Sequence, residues 1–340
     1  MGDWAKTTFV DVQKIIIERK IFFILKVNSS QLVVYICRMN KAIKNFAKLL
    51  GFHLVSIVPV KVFKNDEKYL YDWIDKGFAA DLEYMKKDPG RRSDPSKSLP
   101  EAKSVICLAM NYYQDREGKV ESGKVARYAW GKDYHIVIEK KLKKIRQFII
   151  ENSDGSLTKK DFKLYNDAGP FLERAYAVKA GFGFIGKNTM LITKDYGSWV
   201  FLAEIITTLE LKYDDPVDQK MSCGTCTKCM DSCPTKALNG AYSVDANKCI
   251  SYQTIEKKGA VSVDTKGNVF GCDICQEVCP HNCRAKKTDV EEFLNHIAGP
   301  NLDADKTCSM SEDEFLAKYS GSPIKRAGLK KLKNTFENMV

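Results

Sequence analysis

Histidines and long apolar runs are scarce in this sequence. Only four of the 340 residues are histidine. Glu18, Arg19, Lys20 and Lys26 interrupt the one candidate membrane span, residues 15–37, well short of the ~20 apolar residues that a bilayer requires. The N-terminus also lacks the uninterrupted apolar stretch and small-residue cleavage site of a secretion signal. We therefore expect no membrane span, no export and a cytoplasmic location.

Cysteine and positive charge are in excess. Lysine and arginine number 54 against 43 acidic residues, and the net charge of +11 is compatible with a polyanionic partner. Twelve cysteines in a long chain without a secretion signal are poorly explained by the disulfide scaffolds of small secreted domains. A reducing compartment and metal chemistry are the better interpretation.

Strands and helices alternate over residues 40–212, which predicts a mixed α/β domain. Its first helix is expected from an N-cap at Asn40 to a stop at Gly51, because apolar residues recur there with helical spacing. Residues 1–38 have no clear period and read as an atypical extension that need not fold. The expected domains are therefore this extension, an α/β domain at 39–212, a cysteine-rich module at 213–290 and a helical basic tail at 291–340.

Further elements follow from the pattern of apolar residues. We expect strands at 52–60, 104–110, 162–165 and 199–211, and helices at 134–151 and 171–180.

Eight cysteines carry the spacing of a ferredoxin with two clusters. Four of them precede Pro234 as C-x2-C-x2-C-x3-C-P, and three precede Pro280 as C-x2-C-x3-C-P, with Cys249 upstream. In such proteins the fourth thiolate of a run ligates the other cluster. This rule gives cluster one Cys223, Cys226, Cys229 and Cys279, and cluster two Cys233, Cys249, Cys272 and Cys275.

Zinc is the alternative for these thiols, since four thiolates also suit a tetrahedral ion. Zinc frameworks do not normally combine this rhythm with two prolines, so two 4Fe-4S clusters are favoured. The remaining cysteines are expected to be spare thiols, with Cys107 in the core: Cys37, Cys107, Cys283 and Cys308.

Two other motifs match known ligand sites incompletely. Gly181, Gly183 and Gly186 form G-x-G-x-x-G, but a helix precedes them and Asn188 replaces the Ser or Thr of a phosphate loop. A glycine-rich turn that approaches a large ligand is the plainer interpretation. His135 has the D-x-H spacing of corrinoid proteins with a histidine ligand, yet Ile138 stands where that motif needs glycine. We therefore expect a solvated or core histidine there.

Several segments, in order, carry a family resemblance: Arg91-Arg92-x-Asp94-Pro95, Arg127-Tyr128-Ala129, Asp133-Tyr134-His135, Asp167-x-x-Pro170-x-x-Glu173-Arg174, residues 180–188, residues 249–252 and Gly271-Cys272-Asp273. Together with the cysteines they resemble the epoxyqueuosine reductases, over about residues 40–340. The resemblance implies an α+β protein. A nitroreductase-like α/β cobalamin-binding domain would be followed by a bacterial-ferredoxin-like two-cluster module and a short helical tail.

The resemblance also implies the activity, which is reduction of epoxyqueuosine to queuosine in tRNA. Cobalamin would be bound base-off, and two clusters would relay electrons from an external low-potential donor to a monomeric enzyme. Asp167 would be the proton donor, with a pKa raised by burial beside the corrinoid, and Arg174 would support it. The cobalamin contacts would be Arg92, Tyr128, Lys187, Asn188, Ser251 and Asp273, and Glu256, Lys257, Lys258 and Gly259 would lie near the tRNA.

The sequence departs from the family at His281, which replaces a tryptophan, and it shows no helical repeat after the tail. Two other functions fit the sequence less well. A corrinoid reductive dehalogenase would carry a twin-arginine signal, which is not visible. A ferredoxin-like electron carrier would not need the large domain that contains Asp167.

Overall fold

The computed structural model describes residues 29–116, 122–215 and 221–339, with side chains from Cys37 onward. The strands are β1 Leu54–Pro59, β2 Ser104–Asn111, β3 Lys124–Val125, β4 Phe162–Tyr165, β5 Gly183–Ile185, β6 Leu191–Thr193, β7 Val200–Thr207 and β8 Asn268–Phe270. The helices are α1 Ser29–Leu49, α2 Lys64–Asp75, α3 Glu83–Lys86, α4 Pro89–Ser93, α5 Tyr134–Glu151, α6 Glu173–Lys179, α7 Lys228–Asp231, α8 Ile250–Ile255, α9 Ile274–Glu277, α10 Glu291–Leu294, α11 Ala304–Ser309, α12 Glu312–Tyr319 and α13 Leu329–Glu337. No helix among these described residues is long and apolar enough to cross a bilayer.

A four-stranded antiparallel sheet, in the order β1-β2-β7-β4, forms the centre of the fold. Side chains of a strand alternate between its two faces. Ile106 and Leu108 of β2 pack with α1 and α5 on one face, and Val105 and Cys107 pack with α6 on the other. The sheet is thus covered on both sides, and Cys107 is a core residue as predicted.

Several predicted elements are confirmed. The bounds of α5 and β4 match the prediction, and β2 extends one residue further, to Asn111. The strand predicted over 199–211 is shorter and the helix predicted over 171–180 begins later, at Glu173, because turns occupy their ends.

The start of the first helix was wrongly predicted. Helix α1 already includes Ser29, so Asn40 lies inside it and its side-chain amide donates to the carbonyl of Lys212 instead of capping the helix. The buried face formed by Met39, Ile43 and Ala47 packs on the sheet and stabilises the helix. The predicted end is confirmed, since Gly51 has φ +89° just after the helix. Residues 1–28 of the predicted extension lie outside the described residues.

The tail packs on the body of the protein. Phe315 and Tyr319 of α12 and Leu332 of α13 share a buried cluster with Trp130 and Phe270. The tail is helical as predicted, and this cluster joins it to residues that precede and lie within the cysteine module. The division of the chain at residues 38, 212 and 290 stays a prediction.

Helix α5 is anchored to the sheet by Ile138, which is completely buried. Ile138→Ala should lower the free energy of unfolding by about 2–5 kcal/mol, through lost burial and the cavity left behind. Lys140→Ala, on the exposed side of the same helix, should change it by less than about 0.5 kcal/mol. Anaerobic denaturant unfolding measures both, and equal effects would contradict this packing.

Candidate active site

Asp167 lies in a loop that leaves the sheet directly after β4. It adopts a left-handed backbone conformation, with φ +67°, which is uncommon for residues other than glycine. Two hydrogen bonds hold the loop: the side-chain amide of Asn166 donates to the carbonyl of His135 at 3.0 Å, and the Asp167 N–H donates to Glu173 Oε1 at 2.5 Å. The Asp167 backbone is therefore fixed from both sides.

The first turn of α5 supplies the partners of the Asp167 carboxylate. Asp133 caps this helix by accepting from the N–H of His135 at 2.9 Å, which places Tyr134 and His135 beside the loop. The Tyr134 hydroxyl donates to Asp167 Oδ2. His135 bridges two carboxylates, with Nδ1 2.8 Å from Asp133 Oδ1 and Nε2 3.7 Å from Asp167 Oδ2. The prediction of a solvated or core histidine was wrong, because spacing alone does not show these partners.

These contacts determine the protonation states of Asp167 and His135. Burial disfavours an ionised Asp167, but hydrogen bonds from His135 and Tyr134 outweigh it, and the pKa of the carboxyl is lowered. The predicted rise in the Asp167 pKa concerned burial beside a bound corrinoid, and it stays a prediction. Burial also opposes charge on His135, but Asp133 and Asp167 raise its pKa to about 9. At neutral pH the proton rests on the imidazole beside an ionised Asp167.

Residues from distant parts of the chain surround Asp167. Tyr84 of α3, Glu256 after α8 and Arg326 of the tail interact electrostatically with one another, and Tyr84 and Arg326 also with Asp167. Arg326 Nε donates to Glu256 Oε1 at 2.6 Å. The Asp167 side chain nevertheless keeps 60% of its surface exposed. The carboxylate is therefore open to solvent beside groups from three other segments, and we refer to this surface, formed by Tyr84, Asp167, Glu256 and Arg326, as the cleft.

Three predicted cofactor contacts lie around this cleft. Arg92 Nη1 donates to the carbonyl of Gly169 at 3.1 Å, in the Asp167 loop, and its Nε has no partner among the described residues. The ring of Tyr128 meets Tyr134 edge-on, with centroids 6.1 Å apart. Arg174 is exposed and donates to the carbonyl of Thr189 at 2.5 Å. It thus affects Asp167 through charge, and its hydrogen bond holds Thr189, the residue after the glycine-rich turn.

The glycine-rich loop, residues 181–188, contacts the cysteine module. Lys187 Nζ donates to the carbonyls of Gly224 and Cys226 at 2.8 and 2.9 Å, and Asn188 Nδ2 donates to the carbonyl of Cys275 at 3.3 Å. The roles of Lys187 and Asn188 as cobalamin contacts stay predictions, as does that of Ser251, half-buried on α8.

Asp273 is held inside the protein. It is 4% exposed, and its Oδ2 accepts from the backbone N–H of Arg127 at 2.9 Å and from Arg127 Nη1 at 3.1 Å. The same Arg127 nitrogen donates to Glu277 Oε1 at 2.6 Å. The structure thus assigns Asp273 to a buried ion pair between the sheet domain and the cysteine module, a contact that its position in the sequence did not predict.

All twelve cysteines are free, and the eight predicted ligands fall into two groups. Cys279 interacts electrostatically with Cys223, Cys226 and Cys229. Cys272 does so with Cys249 and Cys233, and Cys275 with Cys272 and Cys249 and also with Cys229 of the first group. Within the described ranges, no three side chains of ligand type converge as they would around a single metal ion. Burial raises the pKa of Cys272 to about 12.

Comparisons with known proteins agree with this arrangement. The family model described as epoxyqueuosine reductase QueG, DUF1730, matches residues 92–168, and the 4Fe-4S double cluster binding domain matches residues 222–282. An epoxyqueuosine reductase of Synechocystis sp. is 40% identical over 80% of this chain and 95% of its own length. One of Pseudomonas aeruginosa is 38% identical over 86% of this chain and 82% of its own.

Solved structures give the same result. A crystal structure of epoxyqueuosine reductase with an epoxyqueuosine-modified tRNA-Tyr stem loop matches with a TM-score of 0.78 and 29% identity, over 88% of this chain and 80% of that one. A Bacillus subtilis structure, with its catalytic Asp loop swung out of the active site, matches with a TM-score of 0.75, 29% identity and the same coverage. The chain belongs to the epoxyqueuosine reductase family.

Proposed function

We propose that this protein reduces epoxyqueuosine to queuosine in tRNA, with Asp167 as proton donor. The observation that carries the proposal is the open Asp167 carboxylate, held by Tyr134 and His135 in a cleft that the sheet domain and the tail surround. The relative bound to a modified stem loop and the relative named for a catalytic Asp loop support the substrate and the role of the carboxylate.

The eight thiols would hold two 4Fe-4S clusters. The grouping of Cys279 with the first three cysteines, and of Cys233 with the later ones, is the exchange that the two-cluster rule requires. An external one-electron donor of low potential would feed them. The glycine-rich loop, bonded to Cys226 and Cys275 through their carbonyls, would keep the clusters against the sheet domain.

The residues of the cleft also suit a base-off cobalamin. Both ring nitrogens of His135 already lie near carboxylates, which leaves that histidine poorly placed to bind cobalt. Three groups could hold a large amide-bearing macrocycle, with Ser251 as a further contact: the Nε of Arg92, which no described residue binds, the exposed guanidinium of Arg174 and the Tyr128 ring. When bound, cobalamin would supply a strongly reducing cobalt centre. A nitroreductase-like fold remains part of this proposal.

The protein's own contribution is proton delivery. Removal of the epoxide oxygen as water consumes two electrons and two protons, and both carbon–oxygen bonds break as the alkene forms. Asp167 is open to the cleft and ionised at neutral pH, so it would first take the proton of His135, 3.7 Å away, and then pass that proton to the departing oxygen. Tyr134 orients the carboxylate throughout.

The tRNA would be bound through phosphate contacts. Four basic residues of α5 are candidates for this role: Lys141, Lys143, Lys144 and Arg146. Lys141 and Lys143 are ion-paired with Glu292 and Glu139, whereas residues 256–259 lie against the tail through Arg326 and Lys331. The cleft-side surface formed by Glu256–Gly259 and the tail is therefore the proposed contact. A cytoplasmic location and a monomeric state stay predictions.

Anaerobic turnover tests the activity directly. The protein, reconstituted with iron, sulfide and cobalamin and given a strong reductant, should convert epoxyqueuosine in tRNA to queuosine, detected by nucleoside mass spectrometry. An electron carrier would accept electrons and leave the nucleoside unchanged, which would refute the proposal.

Asp167→Asn should lower turnover by about 10²- to 10⁴-fold, because an amide cannot act as the acid. Cobalamin binding, followed by absorption spectroscopy, should persist. Asp154→Asn, in an exposed loop, is the matched control and should keep full activity. Full turnover by the Asp167→Asn variant would remove Asp167 from the reaction.

Cys249→Ala should halve the iron content, from about eight to about four atoms per chain, because it breaks cluster two. Cys283→Ala changes an exposed cysteine outside the proposed ligands and should keep all the iron. Iron analysis after anaerobic reconstitution distinguishes the two, and equal iron in both variants would be evidence against the assignment.

Turnover should fall as the pH rises through about 9, where His135 loses its proton. Its pKa is raised from 6.5, so the ion pair with Asp167 is complete below 6.5 and is lost as the pH passes about 9. The pKa of Asp167 is lowered, so its carboxylate becomes protonated, and the ion pair is lost, only in acid. His135→Gln should remove the alkaline fall from the pH–rate profile, and a profile unchanged in that variant would contradict this role.

A further inference from the structure

Lys187 lies at the tip of the hairpin that β5 and β6 form, and this tip reaches the cysteine module. The N–H of Thr189 donates to the carbonyl of Gly186 at 2.8 Å, which closes the turn around Lys187. A Cβ atom at Gly183 would lie 2.0 Å from the carbonyl oxygen of Ile192, so only glycine allows the two strands to approach this closely. The hairpin therefore holds the Lys187 backbone in a defined position.

The main chain and the side chain of Lys187 both bind the cysteine module. Its backbone N–H donates to the Sγ of Cys223 at 3.4 Å, and its carbonyl accepts from the N–H of Tyr242 at 3.1 Å. Its Nζ donates to the carbonyls of Gly224 and Cys226 at 2.8 and 2.9 Å. The residue is half-buried. Its ammonium group is therefore fixed beside the first proposed ligands of cluster one.

Such contacts favour the reduced form of an iron–sulfur cluster. Reduction adds one electron, and hence one negative charge, to the cluster and its thiolates, and no bond forms or breaks. An N–H that donates to a ligand sulfur and a cation nearby both stabilise the added charge, so both raise the reduction potential. Cys229 and Cys279 accept from N–H groups within the module, those of Met230 and His281. Lys187 instead brings its N–H and its charge from the sheet domain.

We propose that Lys187 is a positioning residue that raises the reduction potential of cluster one. Its ammonium group holds the backbone of Gly224 and Cys226 against the hairpin, and its N–H then bonds the Cys223 thiolate. Cluster one thereby takes an electron more readily from the external one-electron donor, which is oxidised by one electron in the same step. The inference rests on the proposed function for the presence of cluster one.

A redox titration of the reconstituted protein, followed by electron paramagnetic resonance, tests this. Lys187→Met should lower the equilibrium constant for one-electron reduction of cluster one about tenfold, which is about 59 mV, and leave cluster two unchanged. Lys187→Arg, whose guanidinium can still donate to both carbonyls, should restore most of the wild-type potential. Lys228→Met removes an exposed lysine between Cys226 and Cys229 and is the matched control. Because solvent screens its charge, the constant should change less than about twofold.

Three results would overturn the proposal. The potential of cluster one could be unchanged in Lys187→Met, or it could shift equally in Lys228→Met, which would leave net charge as the whole effect. Lys187→Met could also lose about four iron atoms, and Lys187 would then be needed to assemble the cluster and not to set its potential. The titration does not depend on turnover. A wild type that shows the expected shifts against its variants, yet leaves epoxyqueuosine unchanged, refutes only the proposed function.

Discussion

The contact between the Asp167 carboxylate and the first turn of α5 is the interaction on which the site depends. The cap at Asp133 fixes that turn, the end of β4 fixes the loop, and Tyr134 and His135 join them. Because both elements pack on the same sheet, the carboxylate is oriented before any ligand arrives. The protein thereby keeps an ionised acid and a protonated base side by side, open to the cleft.

A second constraint joins the cysteine module to this site. Arg127 is buried between the aromatic rings of Trp199 and Trp130, 4.9 and 5.6 Å from its guanidinium carbon, and it binds Asp273 and Glu277 beside the cysteines. Burying a charge is costly unless it is paired and hydrogen-bonded, and this network satisfies that requirement. This network therefore fixes the cysteine module against the sheet domain.

Local spacing predicted the parts of the structure that local interactions determine. The bounds of α5 follow from the spacing of its apolar residues. The prediction of eight cluster ligands follows from the gaps of two and three residues between the cysteines. The partners of Asp167 and Asp273 lie 33 and 146 residues away in sequence, at Tyr134 and Arg127. Such pairs depend on tertiary packing, so local spacing could not predict the hydrogen bonds from His135 and Tyr134 that lower the Asp167 pKa.

The fold pairs a protonated His135 with an ionised Asp167. With four histidines in the chain, the His135 imidazole signals can be assigned by substitution and followed by NMR through a pH titration of the reconstituted protein. We expect a midpoint near pH 9 in the wild type and a lower one in Asp167→Asn. A wild-type midpoint at or below the ordinary value of 6.5 would contradict it.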